Sequence, residues 1–461
     1  MITIAEIVAA HRGGAVTPAQ SIRRCYERIR AFADPGTFIS LRDEEAAVAE
    51  AEELSVERSS APLLGVPVAV KDNIDVAGLP TTAACPAFSY SPAVDAAVIA
   101  KLKAAGAIVI GKTNLDQFAT GLVGTRTPYP VPRNPLRSEL IPGGSSSGSA
   151  VAVGSGIVPV ALGTDTAGSG RVPAMCNNIV GLKPSLGLVS TRGVVPACRS
   201  LDCVSIFALT VEDAWRVLGA IAGYDTADVY SRVRSVGALE RLPSGRRLGA
   251  PRAAQRLFFD DERAAAHFDQ ALARLAELGH AITEVDMAPF YETARLLYEG
   301  PWLAERYIAA RRIIENNPAA LHPITRQIIA SGAALRATEV FEAFYRLEAL
   351  RKLAAETFAH IDALVCPTAP TVYTVEQVLA DPIALNSRLG TYTNFVNLLD
   401  LCGVAVPAAL SADATPFGIT ILAPAGADAL AASIARQFQV DTGLCPGAFM
   451  KTALRADTVG D

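Results

Sequence analysis

Residues 143–171 read GGSSSGSAVAVGSGIVPVALGTDTAGSGR. A serine-rich loop runs straight into an apolar stretch, Ala150 to Leu162, which ends in a second turn of small residues around Ser169. Taken alone, the first loop would be a flexible linker. Joined to an apolar run, its backbone is tied to the core, and its hydroxyls can form an ordered relay. Upstream, the apolar run Val66 to Val70 leads into Lys71, Asp72 and Asn73. No histidine lies between His11 and His267. A serine nucleophile in this region therefore needs another proton acceptor, and Lys71 is the obvious group.

An ordinary lysine, with a pKa of about 10.4, is protonated at neutral pH, so the surroundings of Lys71 have to disfavour the ammonium. In an extended segment Lys71 and Asp72 point to opposite faces, which lets Lys71 enter the core unpaired. Holding it neutral takes a shift of roughly three units, or about 4 kcal/mol. In the second turn, Thr164 to Gly170, small residues leave several backbone N–H groups accessible around one serine. That arrangement suits an oxyanion hole. Asp165 and Arg171, six residues apart, are expected to pair and hold the turn in shape, a structural role.

The chain has 461 residues, 51% hydrophobic and 19% charged, enough for a large core in one big domain or two to three smaller ones. A formal net charge of -5 argues against a nucleic acid or an anionic membrane as partner. Small neutral or anionic substrates remain open. The eight cysteines show no CxxC pair and no metal spacing, so they are read as buried, reduced thiols, and no metal is expected. The start, Met1 to Glu6, lacks the basic-then-apolar pattern of a signal peptide. The longest apolar stretches, such as Ser149 to Thr164, are interrupted by Gly and Pro and fall short of the ~18 residues of a membrane helix. These features predict a soluble, cytoplasmic protein.

Three regions follow from the patterning. Residues 1–58 read as a helical flank, with Thr17 before Pro18 as a helix start and Gln20 at the capping-box position. Residues 59–230 alternate short apolar runs, Gly-rich turns and helical stretches, the pattern of an α/β core. Pro67 to Val70, Ala107 to Ile110 and Val158 to Leu162 are expected buried strands there. Residues 231–461 open on a polar, Arg-rich passage, Ser231 to Arg247. An amphipathic helix over Asp260 to Leu278 comes next, with a strand over Ala281 to Val285. A mainly helical stretch, Tyr291 to Phe358, is broken at Gly300-Pro301. Ala363 to Cys366 and Ile419 to Leu422 are expected strands returning to the central sheet, with Ala427 to Val440 as a closing helix.

Two motifs are decoys. Gly106 to Thr113 matches the phosphate-loop pattern GxxxxGKT and would make a nucleotide-binding protein of this chain. Its intervening residues, however, are themselves a buried strand rather than an open loop. Gly144 to Gly148 matches GxSxG with Ser146 in the centre, which would call on His267, His280, His322 or His360. No clear strand precedes it.

GGSSSGSA, then GTDTAGSGRVPA, then Gly181-Leu182-Lys183-Pro184 together resemble the amidase signature family, whose members hydrolyse or transfer amides through a Ser-cisSer-Lys triad. The likeness is strong over about residues 60–210 and weaker beyond, at Val365 to Thr368 and Pro416 to Gly418. It implies an amidase-signature fold, α/β with a central mixed β-sheet covered by helices on both faces. By position it makes Ser169 the nucleophile, Lys71 the base and Ser145 the bridging serine after a cis peptide. The oxyanion hole falls on the N–H groups of Thr166, Ala167, Gly168 and Ser169.

KDNIDVAGLPTTAACPAF from Lys71, GKTNLDQFATGLVGTRTPY from Gly111 and STRGVVPACRSLDC from Ser190 are similar to the allophanate hydrolases, which act on urea-1-carboxylate. That likeness implies release of ammonia from allophanate through an acyl-enzyme, with Tyr298 and Arg306 holding the substrate carboxylate. It implies no cofactor and leaves a homodimer open. Full-length allophanate hydrolases usually carry a further C-terminal domain, and the resemblance predicts that these residues make up the amide-cleaving half alone. Within the same fold, another amidase or the amidase component of an amidotransferase is the alternative.

Overall fold

The computed structural model describes residues 3–57, 60–241 and 245–448. The expected boundary between residues 58 and 59, the first two residues and the final segment from 449 on lie outside the described residues. Eleven strands share one sheet: β1 (Phe38–Leu41), β2 (Pro67–Lys71), β3 (Ile108–Thr113), β4 (Val160–Asp165), β5 (Val180–Lys183), β6 (Cys203–Ala208), β7 (Arg247–Pro251), β8 (Ala281–Val285), β9 (Ala363–Pro367), β10 (Leu401–Leu410) and β11 (Pro416–Pro424). Their spatial order is β1-β3-β2-β4-β6-β5-β10-β11-β9-β7-β8. β2 runs parallel to both β3 and β4, and β7 runs parallel to β8 and β9. The other neighbours are antiparallel, so the sheet is mixed, and helices cover both faces.

The period-two alternation of β2 decides which face each residue meets. Val68 and Val70 pack on one side with Val98, Ile99 and Leu102 of the helix Ala97–Ala104 and with Val211 to Ile221. Ala69 packs on the other side with Ala150 and Val153 of the helix Ser147–Gly154 and with Ile22 and Tyr26 of Pro18–Phe32. Lys71 shares the face of Ala69, so the serine-rich loop at the start of Ser147–Gly154 lies on its side of the sheet.

The strands expected at Pro67, Ala107, Val158, Ala281, Ala363 and Ile419 are present with small shifts of boundary. Thr17 and Gln20 form the expected capping box, Gln20 N donating to Thr17 Oγ1 at 3.1 Å and Thr17 N to Gln20 Oε1 at 2.8 Å. Residues 4–57 carry helices Ile4–Arg12, Pro18–Phe32 and Glu44–Glu57, but also the edge strand β1, which corrects the purely helical reading of the flank. Four residues of mixed character give no periodicity; their strand exists because β3 offers an open edge. Seven cysteines are buried, Cys445 is half-buried, and no disulfide joins the described ones. No described helix is long and apolar enough to cross a membrane.

The phosphate-loop lookalike is a strand. Ile108 to Thr113 is β3, and Lys112 is fully buried, its Nζ 3.2 Å from Asp72 Oδ1 and donating to Thr81 Oγ1 at 2.9 Å. A lysine committed in this way cannot reach a phosphate. Removing one partner of a buried ion pair strands the other charge in low dielectric. Lys112→Met is therefore expected to cost about 3–5 kcal/mol of stability, read by urea denaturation. Equilibrium dialysis of the wild type with magnesium and ATP is expected to show no binding. A neutral substitution, or bound nucleotide, would contradict this account of the lysine.

Candidate active site

β2 ends at Lys71 between its two parallel neighbours, so the backbone of this residue is held at the centre of the sheet. Its Nζ donates to Ser145 Oγ at 2.8 Å and to Thr164 Oγ1 at 2.8 Å. Lys71 is fully buried and makes no salt bridge among the described residues. Burial pushes its pKa down to about 7, against the weaker upward pull of Asp116, Asp202 and Asp165. Desolvation disfavours the ammonium more than distant carboxylates favour it.

Ser145 follows a cis Gly144–Ser145 peptide. Gly144 packs so closely that a Cβ there would lie 2.0 Å from Asp116 Oδ2, so only glycine fits. Asp116, which the sequence reading missed, organises this loop. Its carboxylate accepts N–H bonds from Val123 (3.2 Å), Gly124 (3.0 Å) and Arg126 (2.9 Å), and its own N–H donates to Ser145 O at 3.0 Å. Ser146, centre of the GxSxG lookalike, bonds to the Thr164 carbonyl at 3.2 Å and makes no hydrogen bond to a histidine. His267 and His280 bond to side chains of Gln270, Ser411 and Gln437.

The second turn is built by one carboxylate. Asp165, fully buried, receives the Arg171 guanidinium at 2.9 and 3.0 Å and the N–H groups of Gly168 (2.8 Å) and Gly170 (3.0 Å). Burial raises its pKa, but Arg171, these hydrogen bonds and Lys183 more than offset that and leave it below the ordinary carboxylate range. The expected pairing of Asp165 with Arg171 is present. Asp165 also forces a correction: the Gly168 N–H is spent on its carboxylate and cannot serve an oxyanion. The N–H groups of Thr166, Ala167 and Ser169 make no hydrogen bond among the described residues, so three donors remain open. Gly168, at φ +121°, backs against Thr393, whose Oγ1 a Cβ would meet at 2.4 Å. Asn397 braces the turn from outside, its Nδ2 donating to Asp165 O at 2.8 Å and Leu201 O at 2.7 Å.

Ser169 lies in this turn, 2% exposed, with its hydroxyl directed at the Gly121 carbonyl at 3.5 Å. The next residue, Leu122, accepts the Gly144 N–H at 2.8 Å, so the 121–122 segment links Ser169 to the Ser145 loop. Asp202, also missed by the sequence reading, is buried behind the turn. It accepts from Thr166 Oγ1, Ala197 N (2.8 Å) and Cys198 N (3.2 Å), and burial pushes its pKa up to about 6.

Tyr298 and Arg306 come together although Gly300-Pro301 does break the helix, into Ala288–Glu299 and Trp302–Asn316. Arg306 Nη2 donates to Tyr298 Oη at 3.3 Å, and the guanidinium carbon sits 5.1 Å from the ring centroid. Arg306 is 1% exposed. Its Nη1 reaches Thr120 Oγ1 at 3.1 Å, on the segment that leads to Gly121 and so to Ser169.

Residues 20–431 match the model of the Amidase family, and the chain belongs to that family. It is 48% identical over 364 residues to the urea amidolyase of Lachancea kluyveri, covering 78% of this chain and 20% of that protein. The chain thus spans about a fifth of the length of that relative. It is 36% identical over 440 residues to a glutamyl-tRNA(Gln) amidotransferase component from Symbiobacterium thermophilum, covering 88% of this chain and 89% of that protein. The solved structure of Kluyveromyces lactis allophanate hydrolase superposes with a TM-score of 0.90 at 40% identity, over 97% of this chain and 75% of that one.

The environment of Lys71 has a direct signature. In a protein with 13C-labelled lysine side chains, one resonance absent from Lys71→Met is expected to titrate with a midpoint near pH 7. A midpoint above about 9.5, close to a solvent-exposed lysine, would mean that the amine is charged and hydrated.

Proposed function

We propose that this chain hydrolyses the terminal amide of allophanate and releases ammonia, with Ser169 as nucleophile, Ser145 as bridging hydroxyl and Lys71 as base. The observation that carries the reading is a fully buried amine, free of any salt bridge among the described residues, bonded to Ser145 beside a turn with open N–H groups. An unprotonated amine can take a proton, and a carboxylate-paired ammonium cannot.

In this scheme the Ser169 hydroxyl turns from the Gly121 carbonyl toward Ser145 and attacks the amide carbonyl. Its proton passes to Ser145, whose own proton passes to Lys71. The N–H groups of Thr166, Ala167 and Ser169 receive the oxyanion. The proton returns by the same route to the nitrogen, and ammonia leaves. Water then enters by the mirror sequence, its proton taken through Ser145 to Lys71, and the acyl-enzyme releases N-carboxycarbamate. Tyr298 and Arg306 hold the carboxylate of the substrate. A buried guanidinium with neutral partners suits that task, and the identity to urea amidolyases supports it.

Ser169→Ala is expected to lower ammonia release from allophanate by at least about a thousandfold while the protein stays folded. Arg306→Ala is expected to raise KM by about ten- to a hundredfold, with kcat less affected. Because only neutral Lys71 accepts a proton, kcat/KM is expected to rise with pH through about 7 and then level off. Activity that falls over the same range would assign the base elsewhere. The panel includes simple amides and glutamine; faster release from glutamine would favour an amidotransferase component instead.

A further inference from the structure

Arg126 and Arg306 are two fully buried guanidiniums that meet on one residue. Arg126 Nη1 donates to the Thr120 carbonyl at 3.0 Å and Arg306 Nη1 to the Thr120 hydroxyl at 3.1 Å. The other Arg126 bond goes to the Pro382 carbonyl at 2.7 Å. Neither side chain makes a salt bridge among the described residues, and the Nε of each is buried without a hydrogen-bond partner. The neighbouring carboxylates make no ion pair with either guanidinium, although Asp116 favours the charge of Arg126 and Asp202 and Glu305 that of Arg306. Asp116 accepts three backbone N–H groups, Asp202 accepts from Thr166, Ala197 and Cys198, and Glu305 accepts from Ser200. The half-buried His322 adjoins Asp116 and Arg126 and is pushed below its ordinary pKa, chiefly by burial, which favours its neutral form beside the two guanidiniums.

A buried guanidinium N–H without an acceptor is costly, and a carboxylate brought from outside can supply the acceptor that both Nε groups lack. The turn that presents Thr120 is itself held in the left-handed region at two non-glycine residues, Phe118 (φ +51°) and Ala119 (φ +50°). Strained backbone of this kind persists where the surroundings over-determine it, as at binding sites. We infer that Arg126 is a specificity-determining residue: with Arg306, which meets it at Thr120, it forms a two-guanidinium site that admits amides bearing a carboxylate and disfavours their neutral counterparts. This rests on the carboxylate reading given above and extends it to a residue outside the Tyr298–Arg306 pair.

Malonamate and malonamide make the test, since they share a skeleton and a scissile amide but differ in one carboxylate. Ammonia release is measured for both with wild type, Arg126→Gln and Arg126→Met, the last keeping an unbranched stem. Wild type is expected to prefer malonamate. Equal turnover of the two amides by wild type would overturn the carboxylate reading itself, before any variant is made. Given that preference, each variant is expected to lose about ten- to a hundredfold in malonamate kcat/KM, chiefly through KM, the effect of one charged hydrogen-bonding partner. Malonamide turnover should hold or rise, so that selectivity collapses. A parallel loss on both substrates with selectivity retained would make Arg126 a purely structural bridge between Thr120 and Pro382. Failure of both variants to fold would also assign it that structural role and overturn the proposal.

Discussion

Keeping water and counter-charge away from one lysine is the constraint around which this molecule is arranged. Lys71 ends a strand with a parallel neighbour on each side, so its backbone cannot swing the amine outward. Its Nζ is left two hydroxyl acceptors and no carboxylate. The apolar alternation of β2, the small residues of the helix Ser147–Gly154 and the glycine at 144 follow from the need to bring a serine loop against that amine without admitting solvent. A charged partner within reach would restore the ammonium and remove the proposed base.

The remaining buried charges divide by the same logic. Asp72 with Lys112 and Asp165 with Arg171 are paired, and each pair shapes a backbone segment: the first fastens the end of β2 to β3, the second winds the turn around Ser169. Among the described residues Lys71, Arg126 and Arg306 lie near the proposed reacting centre without an ion pair, while Lys183, Asp213 and Asp428 are also buried without one and are held by hydrogen bonds alone. The ion pairs serve as architecture, and the uncharged form that burial favours at Lys71 is what a proton acceptor needs.

Much of this was legible in the residues. The run of apolar residues before Lys71 announces a buried strand, and the lack of histidine points to an amine. The six-residue spacing of Asp165 and Arg171 announces their pairing. The flank strand β1, by contrast, has no periodicity of its own and forms because β3 needs a neighbour. Strands β5, β6, β7 and β10 have no alternating pattern to announce them, because largely buried strands read as generic apolar text. Gly168 illustrates a different limit. A turn rich in small residues suggests four open N–H groups, but only the fold aims the Asp165 carboxylate at one of them.

From the sequence alone came the family, the mixed α/β class, the reacting side chains it implies and the rejection of both decoy motifs. These rest on local spacing and composition, which survive in one dimension. The tertiary structure decided the contacts of Asp116, Asp202 and Arg126, the bracing of the turn around Ser169 by Asn397 and Thr393, and the approach of Arg306 to both Tyr298 and Thr120. Each joins residues brought together by the sheet order or by packing between distant segments. Charge balance in a buried site is a property of what surrounds a group in space, and no spacing along the chain encodes it.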